Sequence, residues 1–146
     1  MDTPDARVMA ALPRLRRLAH ALVCEPDRAD ELVRELVESA ITDTAQLPAE
    51  WNNDLQLIRR LRRLWINRLE EWQAALPLDH TDEAARAMHA MASLPRSQRE
   101  AVALVVVDQL DYRDAADIAG VSRVTLAERL VSGRKALAAL LATTPA

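Results

Sequence analysis

Apolar side chains recur every three to four residues along almost the whole chain, and this helical periodicity limits the possible folds more than any other feature. Only two glycines occur in the 146 residues, phenylalanine is absent, and the hydrophobic half is mainly alanine, leucine and valine. A sheet protein needs frequent turns and many β-branched or aromatic residues, whereas alanine and leucine favour helices. The sequence therefore predicts an all-α fold.

Charge and cysteine content exclude several classes of protein. The 19 basic and 22 acidic residues give a net charge of −3, which excludes a strongly basic scavenger of nucleic acid but permits a local basic face. Cys24 is the only cysteine, which excludes a disulfide framework. The longest apolar run, residues 101–107, is far shorter than the roughly 20 residues that span a bilayer. We expect a cytoplasmic protein with no membrane partner.

No residue pattern indicates catalysis. His20, His80 and His89 match no metal-binding or catalytic spacing, and the sequence has no glycine-rich phosphate loop. We therefore expect no enzymatic activity, no metal, no cofactor and no small-molecule substrate.

Seven helices are predicted from the periodic segments and from the residues that start or stop helices. They span about residues 6–23, 27–42, 54–72, 82–93, 95–110, 111–119 and 123–141. The regular part of the first helix is expected to begin close to Pro13. Asp27 is the expected N-cap of the second helix, and Pro95 is expected in the first turn of the fifth.

Periodicity lapses between the third and fourth helices, and this lapse divides the chain into two small helical bundles. We predict one domain over residues 1–73, a linker over 74–82 and a second domain over 83–146. The residues of the fourth helix that are expected to face inward are Ala85, Met88 and Ala92.

Residues 110–137 carry the most specific pattern, two short helices joined by a tight turn. Gly120 suits the left-handed residue that ends the first of them, and Ser122 suits the N-cap of the second. This pattern predicts a helix-turn-helix, whose second helix enters the major groove of DNA. The predicted DNA-contacting residues are Arg123, Val124, Thr125, Ala127, Glu128, Arg129, Arg134 and Lys135.

This segment resembles region 4 of extracytoplasmic-function (ECF) sigma factors of the sigma-70 type. The matching residues are Leu94-Pro95, Arg99, Leu104, Tyr112, Ala115-Ala116, Gly120-Val121, Thr125-Leu126 and Arg129-Leu130. The N-terminal segments 12–19 and 30–33 are similar to sigma region 2. The resemblance implies two helical domains, a surface for core RNA polymerase around Asp30, Glu31, Leu32, Val33 and Arg34, and contact with promoter DNA.

The chain departs from working sigma factors at the surfaces that would meet nucleic acid. Val124, Glu128 and Ser132 stand where family members commonly carry glycine, a small polar residue and arginine, and Glu70-Glu71 stands where the promoter-melting helix is usually basic. Arginines on the outer face of the third helix suit either a nucleic-acid surface or the solvated side of an apolar helix. These arginines are Arg59, Arg60, Arg62, Arg63 and Arg68.

The opening segment 12–22 and the second helix are also similar to the sigma-like domain of PhyR-type general stress response regulators. That resemblance implies a sigma mimic that binds an anti-sigma factor, either as a fragment that lacks its receiver domain or as a stand-alone protein. An apolar groove would then receive a helix of the partner. Its candidate lining is Trp65, Trp72, Leu76, Leu78, Met88 and Met91. The alternative is a minimal ECF sigma factor that binds core RNA polymerase and reads promoter DNA.

Overall fold

The computed structural model describes residues 4–42, 54–72 and 83–142, and across these ranges the chain is helical with no strand, which confirms the all-α prediction. The seven helices are α1 (Pro4–Val23), α2 (Pro26–Thr42), α3 (Asp54–Arg68), α4 (Glu83–Ser93), α5 (Arg96–Val102), α6 (Tyr112–Ala119) and α7 (Arg123–Ala142). The predicted linker and the groove residues Leu76 and Leu78 lie outside the described residues.

The regular part of helix α1 begins well before Pro13, its expected start, and the helix begins at Pro4. It runs through Pro13, which is exposed, so the missing N–H of this proline removes one hydrogen bond on the solvent side only. Val8 and Ala11 are buried ahead of Pro13 and continue the apolar stripe of Leu15 and Leu18. Because core packing extends to the first turns, the helix persists where local propensity alone would end it.

Helix α2 is capped by a different residue from the one predicted. The Glu25 carboxylate accepts hydrogen bonds from the backbone N–H groups of Asp27 (3.1 Å) and Arg28 (2.7 Å). Asp27 is therefore a first-turn residue and not the N-cap. Helix α3 also ends earlier than predicted, at Arg68, and residues 69–72 form a turn.

Helix α5 also departs from the prediction, which placed one continuous helix over 95–110. Pro95 is the N-cap of α5 and not part of its first turn. After Val102 the backbone widens into a π-helical turn over residues 103–107, closed by a hydrogen bond from the Asp108 N–H to the Ala103 carbonyl (2.9 Å). Gln109 then takes a positive φ of 60° and ends the segment. Asp108 follows this turn directly as its C-cap residue.

The helix-turn-helix forms as predicted. The Asp111 side chain caps α6 by accepting from the Asp114 N–H at 2.8 Å. Gly120 ends α6 in the left-handed conformation (φ 71°, ψ 32°), and the Ser122 hydroxyl accepts from the Thr125 N–H at 3.1 Å at the start of α7. In α4, by contrast, the buried residue is Ala90, and the three residues expected to face inward are only half-buried.

The N-terminal half (α1–α3) and the C-terminal half (α4–α7) pack against each other through one continuous apolar core. Trp65 of α3 and Leu22 of α1 belong to the same cluster as Leu104 and Leu130. Helix α1 contacts α4, α5 and the π-helical turn, while α3 contacts α6. The surfaces of α3 and α6 therefore lie against each other, which brings Arg59 of α3 close to Asp117 of α6.

Candidate DNA-reading and partner-binding surfaces

The second helix of the helix-turn-helix is held against α5 and α6 by its buried side. Leu126 and Leu130 are buried there, and Ala115 and Ala116 of α6 are small enough for a close crossing. Gly133 is buried against α5, where a Cβ would lie 3.0 Å from Val102 Cγ2. The first turns of α7 therefore face solvent in a fixed orientation.

The outward face of α7 carries apolar and acidic groups among its cations. Val124 and Val131 are 69 % and 58 % exposed, and Glu128 is exposed between them. Of the other predicted DNA-contacting residues, Arg123, Arg134 and Lys135 are exposed, whereas Thr125, Ala127 and Arg129 are half-buried. The Ser122 hydroxyl donates to Thr125 Oγ1 at 3.0 Å, which engages the Thr125 hydroxyl within the cap.

The predicted partner surface divides into exposed and buried residues. Leu32, Val33 and Trp65 lie in the core, so their side chains are not part of any exposed surface. They face inward because the apolar stripes of α2 and α3 pack against α1. Glu31 and Arg34 are exposed on α2, where a partner can reach them.

The remaining predicted partner residues are only partly accessible. Asp30 contacts His20 Nε2 at 3.2 Å and Arg16 Nη2 at 3.7 Å. Met88 is half-buried on α4.

The candidate groove residue Trp72 is half-buried and packs against the core. Two guanidiniums lie near its ring, with Arg28 5.9 Å and Arg68 5.4 Å from the ring centroid, distances at which cations attract an aromatic face. Arg28 also donates to the Trp72 carbonyl at 3.2 Å. These contacts join the turn after α3 to α2 and to the end of α3.

Arg68 is surrounded by carboxylates. It donates to Glu35 at 2.8 Å and Glu71 at 3.0 Å, and Glu31 lies 3.9 Å away. The hydrogen bonds that Arg68 donates, first to Glu35 and then to Glu71, raise the pKa of Arg68. Its charge is largely neutralised within the N-terminal half.

Two further arginines of α3 reach across to the C-terminal half. Arg62 donates to Glu100 Oε2 at 2.9 Å and to the carbonyl of Ala119 at 3.3 Å, and Glu100 is buried. Arg59 forms an ion pair with Asp117 of α6. Arg59 and Arg62 are therefore neither a free nucleic-acid face nor merely solvated, because each forms an ion pair with the C-terminal half of the molecule.

Arg14 of α1 makes a similar contact that the sequence analysis missed. Its guanidinium binds both carboxylate oxygens of Asp108, at 2.9 and 3.0 Å, and Asp54 at 3.3 Å. The Asp108 side chain is only 2 % exposed, and its hydrogen bond raises the pKa of Arg14. Helical periodicity places Arg14 on an outer face, and no local signal identifies a partner 94 residues away.

Arg99 joins helix ends. It donates to the carbonyls of Leu22 (3.0 Å), Ala92 (3.3 Å) and Leu94 (3.2 Å), groups that the ends of α1 and α4 leave without intrahelical partners. Arg99 is one of the residues on which the region 4 resemblance rests, and here it joins the ends of α1 and α4.

Neither a metal centre nor a membrane helix is found in the part of the chain that the structure describes. No group of three or more His, Cys, Asp or Glu residues within residues 4–42, 54–72 and 83–142 could hold a metal ion. Over the same residues, every helix is too short or too polar to cross a bilayer.

Two family models match the chain, one in each half. The sigma2 domain of PhyR matches residues 8–63, and sigma-70 region 4 matches residues 84–137. Among curated proteins, the ECF RNA polymerase sigma factor EcfG of Rhodopseudomonas palustris (strain TIE-1) is 30 % identical over 149 residues, with 92 % of this chain and 82 % of that protein covered.

Solved structures share the fold across both halves. The sigma factor RpoE in complex with the anti-sigma factor NepR from Bartonella quintana matches with a TM-score of 0.77 and 23 % identity, covering 94 % of this chain and 96 % of that one. CnrH in complex with the cytosolic domain of CnrY matches with a TM-score of 0.72 and 19 % identity, covering 94 % and 86 %.

The fold and the two matched regions define the class of protein: a sigma-70-type chain with region 2 and region 4 and a helix-turn-helix in the latter. More specifically, the chain belongs to the ECF RNA polymerase sigma factor family. This assignment confirms both resemblances seen in the sequence, the one to ECF sigma factors and the one to the sigma-like domain of PhyR-type regulators.

Proposed function

We propose that the protein is a sigma-factor-like regulator of transcription initiation that acts mainly through protein partners, an anti-sigma factor above all. The outward face of α7 carries this proposal. Where a DNA reader needs cations and hydrogen-bonding side chains, α7 presents Val124, Glu128 and Val131. A carboxylate in that position is repelled by phosphates, whereas exposed valines suit an apolar partner.

The state of α3 also supports this proposal. Arg59, Arg62 and Arg68 are engaged with carboxylates of the same chain, which leaves fewer cations for the DNA backbone. The solved structures of the similar proteins RpoE and CnrH contain protein partners, NepR and the cytosolic domain of CnrY. A role in cytoplasmic regulation without enzymatic activity follows from this proposal.

A second candidate function is that of a minimal ECF sigma factor that binds core RNA polymerase and reads a promoter. The intact geometry of the helix-turn-helix favours it, since Gly120 and Ser122 hold α7 as a DNA reader requires. Arg123, Arg134 and Lys135 are exposed on α7 and could take phosphates. The identity to EcfG over most of both chains favours it as well.

Reconstitution with core RNA polymerase distinguishes the two functions. The chain is mixed with core enzyme and a library of promoter fragments, with an established ECF sigma factor as positive control, and transcripts are sequenced. In parallel, binding to the anti-sigma factor NepR of Bartonella quintana is measured by calorimetry. We expect NepR-type binding and little promoter-specific transcript. Robust initiation from a defined promoter would contradict the proposal and establish the second function, whether or not the chain binds NepR, because RpoE is itself a sigma factor in complex with NepR.

A further inference from the structure

Helix α7 carries most of the large apolar side chains that the molecule exposes. In the part of the chain that the structure describes, seven large hydrophobic residues are exposed, and four of them lie on this one helix. The four are Val124 (69 % exposed), Val131 (58 %), Leu140 (38 %) and Leu141 (42 %). Single exposed apolar residues need no explanation, whereas several on one helix indicate an interaction surface.

The outward face of α7 has the residue spacing that one helix offers to another. Two rows of residues recur every seven positions: the first is Val124, Val131 and Ala138, and the second is Ala127, Arg134 and Leu141. Of these six residues, Ala127 is half-buried and the others are exposed. Two rows with an offset of three residues correspond to positions a and d of a heptad, along which two helices pack. We call these six residues the α7 seam, and the partner that fits it is another helix.

The charges beside the α7 seam identify which helix fits. Glu128 flanks the first half of the seam and Lys135 flanks the second half, and both are exposed. Neither of them, nor Arg134, forms an ion pair with another described residue of the chain. An antiparallel helix of the same sequence presents its own Lys135 to Glu128 and its own Glu128 to Lys135. A parallel copy would instead place Arg134 beside Arg134, and charges of this kind set the orientation of paired helices.

We propose that the α7 seam is a self-association surface, on which two copies of this chain pair through antiparallel α7 helices about a two-fold axis that crosses the middle of the helix. In this register Val124 packs against Leu141 of the second copy, and Glu128 forms an ion pair with Lys135 of the second copy. Each contact occurs twice because the interface is symmetric. The inference needs neither an anti-sigma factor nor RNA polymerase, so it can fail while the proposed function stands, and the reverse.

The limited size of this contact makes the dimer weak. Helix α7 has 20 residues, and a contact confined to one helix from each copy lies at the low end of protein interfaces, below about 1,200 Å². We expect a dissociation constant on the order of 100 µM. Below about 10 µM the chain is then mainly monomeric, and the α7 seam is open to another partner.

Sedimentation equilibrium of the full chain over about 5 to 500 µM measures this association. Val131→Glu places a carboxylate in the centre of the seam and should raise the dissociation constant of the dimer about tenfold or more. Met9→Glu on α1 is the matched control, because Met9 is also 58 % exposed and lies outside α7. This control adds the same charge and should leave the dissociation constant within about twofold of the parent value.

Charge reversal tests the antiparallel orientation. Glu128→Lys and Lys135→Glu should each weaken the association about threefold or more at about 50 mM salt, because each sets like charges against each other. The two changes combined in one chain exchange the partners of each ion pair and should restore the parent dissociation constant within about twofold. A merely structural effect of either single change would persist in the double variant.

Three results would overturn the proposal. The first is a chain that stays monomeric up to about 500 µM. If that monomeric chain also loses binding of NepR or of duplex DNA on Val131→Glu, the α7 seam belongs to that occupant and not to a second copy. The second is an association that Val131→Glu leaves unchanged, which would place the contact elsewhere on the molecule. The third is a double charge reversal that fails to restore the association.

Discussion

Helices α3 and α7 both carry cations at helical spacing, yet the structure uses them differently. Arg59, Arg62 and Arg68 of α3 are paired with carboxylates from the same chain, while Arg134 and Lys135 of α7 are exposed. The difference arises from what packs beside each helix: α3 lies against α6 and against the acidic face of α2, whereas the outward face of α7 meets solvent. An arginine stripe therefore indicates nucleic-acid binding only when its neighbours leave it accessible.

The largest effect that this comparison predicts is on stability. Arg62→Met should lower the free energy of unfolding by about 2 to 4 kcal/mol, because it leaves the buried Glu100 carboxylate without its partner. Arg134→Met on the exposed face of α7 should cost less than about 0.5 kcal/mol. Urea unfolding monitored by tryptophan fluorescence measures both. Equal losses of stability from the two substitutions would contradict the distinction between the paired arginines of α3 and the exposed cations of α7.

The second prediction concerns how α7 is held. Gly133→Ala should lower the free energy of unfolding by about 1 to 2 kcal/mol, since the new Cβ would lie 3.0 Å from Val102 Cγ2 and 3.2 Å from the Gln98 carbonyl oxygen. Ser132→Ala, one residue earlier and exposed, gains helix propensity without that crowding and serves as control. A Gly133→Ala variant that is more stable than the parent would show that a Cβ fits between α5 and α7 without displacing either helix.

The third prediction concerns DNA affinity through α7. Glu128→Ser with Ser132→Arg should raise the affinity for duplex DNA on the order of fivefold at low salt, because an exposed carboxylate is removed and a cation is added on the outward face. Glu83→Ser with Ala87→Arg on α4, both exposed positions, makes the same change in charge away from α7. If both double variants bind equally, or if neither gains, α7 does not lie on DNA.

The smallest effect is expected at Arg68. Arg68→Met should cost about 0.5 to 1 kcal/mol of unfolding free energy at low salt, and less at high salt, because its carboxylate partners are largely exposed. Arg63→Met, on the same helix, should be close to neutral. A loss of stability at Arg68 as large as that at Arg62, or one that salt does not reduce, would show that the ion pairs of Arg68 with Glu35 and Glu71 are buried.

The features predicted correctly from the sequence depend on neighbouring residues. Gly120, Ser122 and the paired alanines of α6 act over a few residues, so turn chemistry and helical period suffice to place them. The helical segments themselves follow for the same reason. The resemblances to regions 2 and 4 further predicted that a region 2-like half precedes a region 4-like half along the chain.

What the sequence could not predict depends on distant segments. The pairs Arg14–Asp108 and Arg62–Glu100 join residues 94 and 38 positions apart, so neither partner marks the other locally. The sequence predicts ordinary helix where the π-helical turn follows α5, because the apolar residues of this turn keep helical spacing. Helix α1 continues through Pro13 because its first turns pack against the core. The contact between Arg28 and the Trp72 ring joins residues 44 positions apart, so the spacing of apolar residues does not predict it.

The distance between the two halves in the free protein tests the central claim most directly. Spin labels on Arg17→Cys of α1 and Ser132→Cys of α7, both exposed positions, report that distance by pulsed electron resonance. Cys24 should not interfere, because it is buried and burial raises the pKa of its thiol to about 11. The packing of both halves around one continuous apolar core predicts one narrow distance in the parent chain. A broad distribution in the parent chain would contradict it.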